Sequence, residues 1–461
     1  MSKIKEKCGL AAAINLDNAS RYVYDCLALM QHRGEASVGI VSNDGAFSYR
    51  RRIGKVMHQF GGYDFSKLPG AMSTGHNRYA TSGSPGDITD IQPLIVKKSK
   101  FGMFTLAHNG TLAHTSAIEE NLIGEGVTFQ SSTDSELLIK LITRKGTEDI
   151  ITAIIESLKE IKAAYSLLIQ TNDKIIAVRD KFGVRPLSIG KIKKGYLVAS
   201  ETYVFDQFPE CDFVRDVHPG EIVVFEKGKE SFTSIQYAQQ DEAFCVFEGI
   251  YFSNPRSMYK GSYHEDFRKD LGRQLYNDNN IQADIIIPIL DSGKMAAIGV
   301  ALESGIPYEE AFLRIHDPPR SNNRSFTSPT QKERIQTAHM KLNLRKSSIK
   351  GKDVLVVDDS LVRSNTLKVI NQRLREAGAK SIINFISAPP IINICQYGMD
   401  FQNKEELAAH NYKIEQIAEK IDADKLVFQS LKGLKKCVKK NYNCGVCSGC
   451  FGGKYPINQE N

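Results

Sequence analysis

The sequence predicts two domains of different architecture: layered sheets with helices in the first half, and a parallel α/β sheet in the second. Three observations carry this. The chain has 461 residues, beyond the roughly 250–300 at which one hydrophobic core stops growing. Short runs of strand character separated by turn signals fill the first half: "GAFSYRRRI", "FGMFTLAHNG", "YSLLIQ", "KIIAVRD", "YLVAS" and "EIVVFEKG", with helical patterns at 20–32 and 134–143. In the second half the rhythm changes. There "ADIIIPILDSG", "AAIGVALESG", "DVLVVDD", "LKVINQRLREAG" and "SIINFIS" alternate strand with helix, the pattern of a parallel sheet. The boundary falls near residue 240, by "YAQQDEAF".

Charge and hydropathy narrow the function classes. Sixty basic residues against 53 acidic leave a net charge of +7, which suits an anionic small molecule. The basic run Lys432–Lys440 reads as a solvated face rather than a nucleic-acid patch, so no nucleic-acid partner is expected. No stretch reaches the ~18 apolar residues of a membrane span, and "MSKIKEKCGLAAAINLD" is too short in apolar residues for a secretory signal. A cytoplasmic protein without a membrane partner is expected. Its nine cysteines are therefore thiols or metal ligands rather than a disulfide framework.

Cys8, seven residues from the start and followed by Gly9, is a poor core residue and a candidate nucleophile. Were residues 1–7 removed, its free α-amine, with a reference pKa of ~7.7–8, could act as its own general base. An ordinary buried cysteine is the alternative. Further on, Leu367, Ile370, Leu374 and Ala377 recur at helical spacing and Gly378 stands where a C-terminal glycine cap belongs. "DDSLVRSNT" is thus the loop between a strand's C-terminal end and a helix N-terminus, where open α/β sheets bind ligands and exposed N–H groups attract anions. Asp358 and Asp359 would hold a magnesium ion or ribose hydroxyls there, or would only cap the helix. "CGVCSGC", with Cys444, Cys447 and Cys450 at C-x-x-C-x-x-C spacing, indicates zinc or iron–sulfur ligation without choosing between them.

These segments, with "LMQHRGEASVGI", "GHNRYAT", "LAHNGTL", "SSTDSELL", "FGVRPLSIG", "VASETYVFD", "YFSNPRS", "ISAPP", "YGMD" and "CFGGKYP" in the same order, resemble the glutamine phosphoribosylpyrophosphate (PRPP) amidotransferases over nearly the whole length. The resemblance implies an N-terminal nucleophile (Ntn) hydrolase domain of four αββα layers at 8–240. It implies a type I phosphoribosyltransferase domain with an iron–sulfur segment at 241–461, and a propeptide at 1–7. By the same resemblance Cys8 is the nucleophile, and the Asn109 side chain with the Gly110 N–H forms the oxyanion hole. Arg78 would pair with the glutamine α-carboxylate and Asp134 with its α-ammonium, alongside the loop of Arg33 and Gly34. Cys245, Cys395, Cys447 and Cys450 would hold a [4Fe-4S] cluster, and Cys444 matches a non-ligand position. Asp358, Asp359 and Ser292 would hold Mg²⁺. Ser360, Arg363, Ser364, Asn365, Thr366 and Arg324 would bind PRPP. A homodimer or homotetramer inhibited by nucleotides is implied too.

Three departures from the family pattern lie in the second half. Its Pro-Asp-Ser turn is Leu290, Asp291 and Ser292; its flexible loop is "RIHDPPRSNNRSFTSP"; and its phosphate-loop Gly-Thr-Thr is Ser364, Asn365 and Thr366. If φ is positive at residue 364, a non-glycine there costs on the order of 1–2 kcal/mol. The implied reaction uses ammonia from glutamine to displace pyrophosphate from PRPP·Mg²⁺, giving 5-phosphoribosylamine, the first step of purine synthesis. The departures also admit a different phosphorylated sugar or nucleotide acceptor, or a second domain that only senses a nucleotide.

Overall fold

The computed structural model describes residues 8–78, 88–112, 115–239, 241–315, 342–399 and 403–457. The proposed propeptide, Arg324 and most of the flexible loop lie outside the described residues.

In the first half, strands Gly9–Ile14, Ser37–Asn43, Phe47–Ile53, Met72–Arg78, Ser188–Ile192, Gly195–Ala199 and Cys211–Asp216 form a seven-stranded sheet. Leu94–Val96, Phe104–Thr111, Ala164–Gln170, Lys174–Arg179, Glu221–Glu226 and Phe232–Gln236 form a six-stranded one. Side chains alternate across each strand, which sorts them into layers. Leu10, Ala12 and Ile14 meet Ala107, Leu168 and Ala177 in a core between the sheets. Ala11 and Ala13 turn outward to Val23 and Leu27 of helix Ala19–Leu29. On the far side, Leu106, Leu167 and Ile169 pack against Leu138 and Ile142 of helix Asp134–Arg144 and Ile154 of helix Ile150–Glu160. The layers are α, β, β, α, as an Ntn hydrolase domain requires.

The second half holds a four-stranded parallel sheet in the order Ile285–Pro288, Asp353–Asp358, Ser381–Ile386, Lys425–Phe428. Both faces are covered. Ile287, Val354 and Val356 point to one core with Leu367 and Ile370, while Ile286, Leu355 and Val357 point to the other with Ala297 and Val300. Strands buried on both faces read as continuous aliphatic runs, which is why "ADIIIPIL" and "DVLVV" stood out in the sequence. Helix Leu431–Asn441 carries the basic run: Leu434, Cys437 and Val438 are buried, whereas Lys432, Lys435, Lys436, Lys439 and Lys440 are exposed.

One short pairing crosses the chain. Phe244–Cys245 runs parallel to Val446–Cys447, with Cys245 opposite Cys447. The C-terminal cysteine segment is thereby held against the start of the second half. Among the described residues, no helix is long and apolar enough to cross a membrane.

Candidate active sites

Cys8 is buried at the head of strand Gly9–Ile14. The Gly9 N–H donates to Asn77 Oδ1 at 2.7 Å, and a Cβ on residue 9 would lie 2.2 Å from that same oxygen. A side chain at residue 9 would displace the buried Asn77 amide. Asn77 is itself fixed by donating to the Met30 carbonyl at 2.8 Å. The 3-10 turn Gln31–Arg33 ends in Gly34, whose N–H donates to the Gln31 carbonyl and whose backbone lies against that of Arg78.

Asn109 and Gly110 sit on strand Phe104–Thr111 of the facing sheet. The Asn109 side chain is fully buried, yet among the described residues neither its Nδ2 nor its Oδ1 has a partner. Buried amides are normally paired, so this one has hydrogen-bonding capacity left over. Gly110 has φ +151°, and a Cβ there would lie 2.2 Å from the Ala164 carbonyl oxygen. Asp134 opens helix Asp134–Arg144 and accepts from the Leu112 N–H at 2.7 Å. Arg78 is 5% exposed and faces Asp90 at 3.4 Å. His108, beside Asn109, bonds through Nδ1 to Ser135 Oγ at 3.0 Å. Burial holds its imidazole below the ordinary range.

Arg33 turns its guanidinium into the interior. Its side chain is fully buried and donates to Glu201 at 2.7 Å and to Glu248 at 3.0 and 3.1 Å. Its Nε reaches the Cys8 carbonyl at 3.3 Å. Glu201 also accepts from the Asn254 N–H and from Ser257 Oγ, and Glu248 from Ser253 Oγ. The guanidinium thus clamps the Cys8 backbone to the second half of the chain. Burial alone would raise both carboxyls; the side chains beside them, His32 and Arg33 at Glu201 and Arg33 and Arg185 at Glu248, hold both below the ordinary range. Sequence reasoning assigned nothing to Glu201, Glu248 or Arg185. Their only signal was a charge embedded in the segments "SETY", "FEGIYF" and "GVRPL".

At the second site, strand Asp353–Asp358 ends in Asp358 and helix Asn365–Glu376 follows. Both acids are buried. Burial, then the neighbouring Asp359 charge, holds the Asp358 carboxyl well above the usual range. Burial raises Asp359 too, against hydrogen bonds from Ser292 and Ser360. Ser292 is therefore beside the acids, and the peptide between Leu290 and Asp291 is cis. Arg314, the first residue of the altered loop, pairs with Asp291 at 2.7 Å and donates to the Leu290 carbonyl at 3.1 Å. Arg363 pairs with Glu406. Ser364, at the helix N-cap, has φ +52° and ψ −16°, and its side chain makes no capping hydrogen bond. Asn365 and Thr366 are the first helical residues. The backbone angle is the one that favours glycine, so the serine stands in a strained position.

Cys245, Cys395, Cys447 and Cys450 line one cavity with Arg185, Phe247, Tyr397, Met399 and Tyr455. Cys444 is not among its walls. Among the described residues, no group of three or more His, Cys, Asp or Glu is arranged to hold a single metal ion.

Two family models match the chain: the glutamine amidotransferase domain over residues 76–207 and the phosphoribosyl transferase domain over 268–390. The amidophosphoribosyltransferase of Bacillus subtilis is 38% identical over 458 residues, 98% of this chain and 94% of that protein. That of Archaeoglobus fulgidus is 35% identical over 455 residues, 98% of each. The solved structure of the B. subtilis glutamine PRPP amidotransferase, complexed with ADP and GMP, has a TM-score of 0.90 at 37% identity, covering 98% of this chain and 99% of that one. The chain belongs to the amidophosphoribosyltransferase family: an enzyme whose Ntn glutamine amidotransferase domain precedes a phosphoribosyltransferase domain, the pair that carries out the first step of purine biosynthesis.

Proposed function

We propose that Cys8 is the nucleophile that releases ammonia from glutamine and that the loop after Asp358 holds the PRPP which receives it. The observation that carries the first half is the buried, unpartnered Asn109 amide opposite the Cys8 strand. The Cys8 thiol gives its proton to the α-amine that removal of residues 1–7 would free, and the sulfur attacks the substrate amide carbon. The developing oxyanion accepts hydrogen bonds from Asn109 Nδ2–H and the Gly110 N–H, and the C–N bond breaks as that proton passes to the departing nitrogen, releasing ammonia. Water then cleaves the thioester to give glutamate. Arg78 and Asp134 are assigned to the two ends of the amino acid, and Arg33 to positioning Cys8 rather than to the substrate.

In the second half, ammonia attacks C1 of the ribose as pyrophosphate departs. The first-turn N–H groups of helix Asn365–Glu376 face the 5′-phosphate, with Ser360, Arg363, Ser364 and Thr366 around it. Two adjacent buried carboxylates, both proton-hungry, fit a divalent cation, and Mg²⁺ commonly takes one or two carboxylates with the rest of its shell from water and substrate phosphate. Asp358, Asp359 and Ser292 would hold it, and bound there it would neutralise charge on the leaving pyrophosphate. Nucleotides are proposed as ligands of the protein, supported by the ADP and GMP of the B. subtilis structure, and the cytoplasm as its location.

Four thiols lining one cavity match the ligand number of a [4Fe-4S] cluster. Cys245, Cys395, Cys447 and Cys450 would hold a [4Fe-4S] centre, which would tie the C-terminal segment to Phe244–Cys245. Protein isolated without oxygen is expected to be brown and to contain iron and sulfide; stoichiometric zinc without iron refutes the assignment. For the enzyme as a whole, glutamine and PRPP together are expected to yield glutamate and pyrophosphate in equal amounts. Glutamine hydrolysis without PRPP turnover, even in excess ammonia, would point to another acceptor.

A further inference from the structure

Arg185 stands between two sites that the chemistry leaves separate. It is fully buried and lines the four-cysteine cavity. Its Nη2 donates to the Tyr397 carbonyl at 2.5 Å and its Nη1 to Glu248 Oε1 at 3.2 Å. Among the described residues its Nε has no partner. A buried guanidinium N–H left unpaired, on a residue that lines a cavity of thiols, is a donor open to an acceptor. A cluster bound by four thiolates is anionic, and N–H groups directed at its sulfurs stabilise it and set its potential.

The other end of the guanidinium leads to the nucleophile. Glu248 is shared between Arg185 at 3.2 Å and Arg33 at 3.0 and 3.1 Å, and Arg33 Nε holds the Cys8 carbonyl at 3.3 Å. The side chains of Arg33, Glu248 and Arg185 are all 0% exposed, so water does not compete for these bonds. With an anion in the cavity, the Arg185 charge is divided between that anion and Glu248. Without one, it turns wholly to Glu248, and the hold of Glu248 on Arg33 weakens.

We propose that Arg185 is a positioning residue joining the four-cysteine cavity to the glutamine site through Glu248 and Arg33, so that an occupied cavity fixes the Cys8 backbone. This rests on the cluster assignment above. It gives the cavity a consequence beyond pinning the C-terminal segment. By linkage the effect runs both ways: a group on Cys8 must alter the cluster as much as the cluster alters Cys8.

The decisive measurement uses the wild-type holoenzyme. Iron and sulfide are quantified first, and the cluster's midpoint potential and reduced-state electron paramagnetic resonance are then recorded before and after Cys8 is alkylated with a glutamine-analogue diazoketone. A shift in potential or resonance is expected. Cluster signals unmoved by complete alkylation overturn the proposal while leaving the cluster assignment intact; protein without iron and sulfide overturns the assignment itself. Among variants, Arg185→Gln is expected to lower the potential, because a positive charge favouring the extra electron is gone. Iron loss to a chelator should rise about tenfold, the usual effect of removing a group that supports a metal ligand. Cys8 alkylation should slow by a similar factor. Arg185→Lys, which keeps the charge, should restore the potential. Glu248→Gln should leave the iron content unchanged, and combining it with Arg185→Gln should slow alkylation no further than the slower single variant. An unchanged potential in Arg185→Gln, or fully additive slowing in the double variant, contradicts the relay.

Discussion

The glutamine site and the acceptor site occupy comparable places, each at the end of a strand against a helix start or turn, yet they differ in how far sequence may drift. Around Cys8 fixed neighbours are the obstacle: a Cβ at Gly9 would lie 2.2 Å from Oδ1 of the buried Asn77 side chain, and one at Gly110 2.2 Å from the Ala164 backbone carbonyl. A side chain at Gly9 would displace the Asn77 amide, and one at Gly110 would displace a neighbouring strand. The phosphate loop is built from N–H groups that any residue supplies, and its left-handed position admits Ser364 at a modest conformational cost. A site closed by steric contact keeps its pattern; a site made of backbone donors can lose its glycine and keep its function.

That contrast is sharpest if one donor is removed from the closed site. Asn109→Ala is expected to lower kcat for glutamine hydrolysis by about 100- to 1000-fold, the usual range for an oxyanion-hole donor, with ammonia-dependent synthesis unchanged. Equal loss of both activities would show that Asn109 supports the fold rather than the oxyanion. At the open site the expected effect is smaller and opposite in sign. Ser364→Gly with Asn365→Thr should improve apparent PRPP affinity, by at most about tenfold, since relieving ~1.4 kcal/mol corresponds to a factor of ten. Weakened turnover of PRPP in that variant would mean the loop had been reshaped for another acceptor.

A third expected effect is on the pH dependence of stability rather than on turnover. Burial, then the nearby Arg78 charge, pushes the His76 imidazole down from 6.5 to about 3. Between those values the unfolded chain binds a proton that the folded chain refuses. The contribution of neutral His76 to stability is therefore whole above pH 6.5 and declines as pH falls through the window, by up to about 1.4 kcal/mol per pH unit. His76→Asn should flatten the fall of the urea midpoint between pH 6.5 and 3 relative to wild type. An unchanged slope would mean His76 titrates normally.

Much of this was legible in the residues. Strands Lys174–Arg179, Glu221–Glu226 and Asp353–Asp358 and helices Ala19–Leu29 and Asn365–Glu376 followed from periodicity and turn signals. Strand Gly9–Ile14 did not, because both its faces are buried and an alanine-rich run has no alternation to read. Asn109, Asp134 and the four cysteines were assigned through the family resemblance, which rests on motifs and their order, and the structure brings the four cysteines to one cavity. The clamp of Glu201, Glu248 and Arg185 was not assigned. Arg33 and Glu248 are 215 positions apart, and nothing in a single sequence pairs two charges at that distance, so the sequence pointed to the loop of Arg33 and Gly34 but not to the partners of the Arg33 side chain. The φ of Ser364 was likewise beyond the sequence, since serine declares no backbone angle.

The central claim is that two separable sites are joined by ammonia, and Cys8→Ala tests it most directly. Pyrophosphate release from PRPP would be measured with glutamine and, separately, with ammonia as the nitrogen source. Glutamine-dependent release is expected to vanish while ammonia-dependent release stays near the wild-type rate. Persistent glutamine-dependent release, or loss of both activities in folded protein, would contradict it.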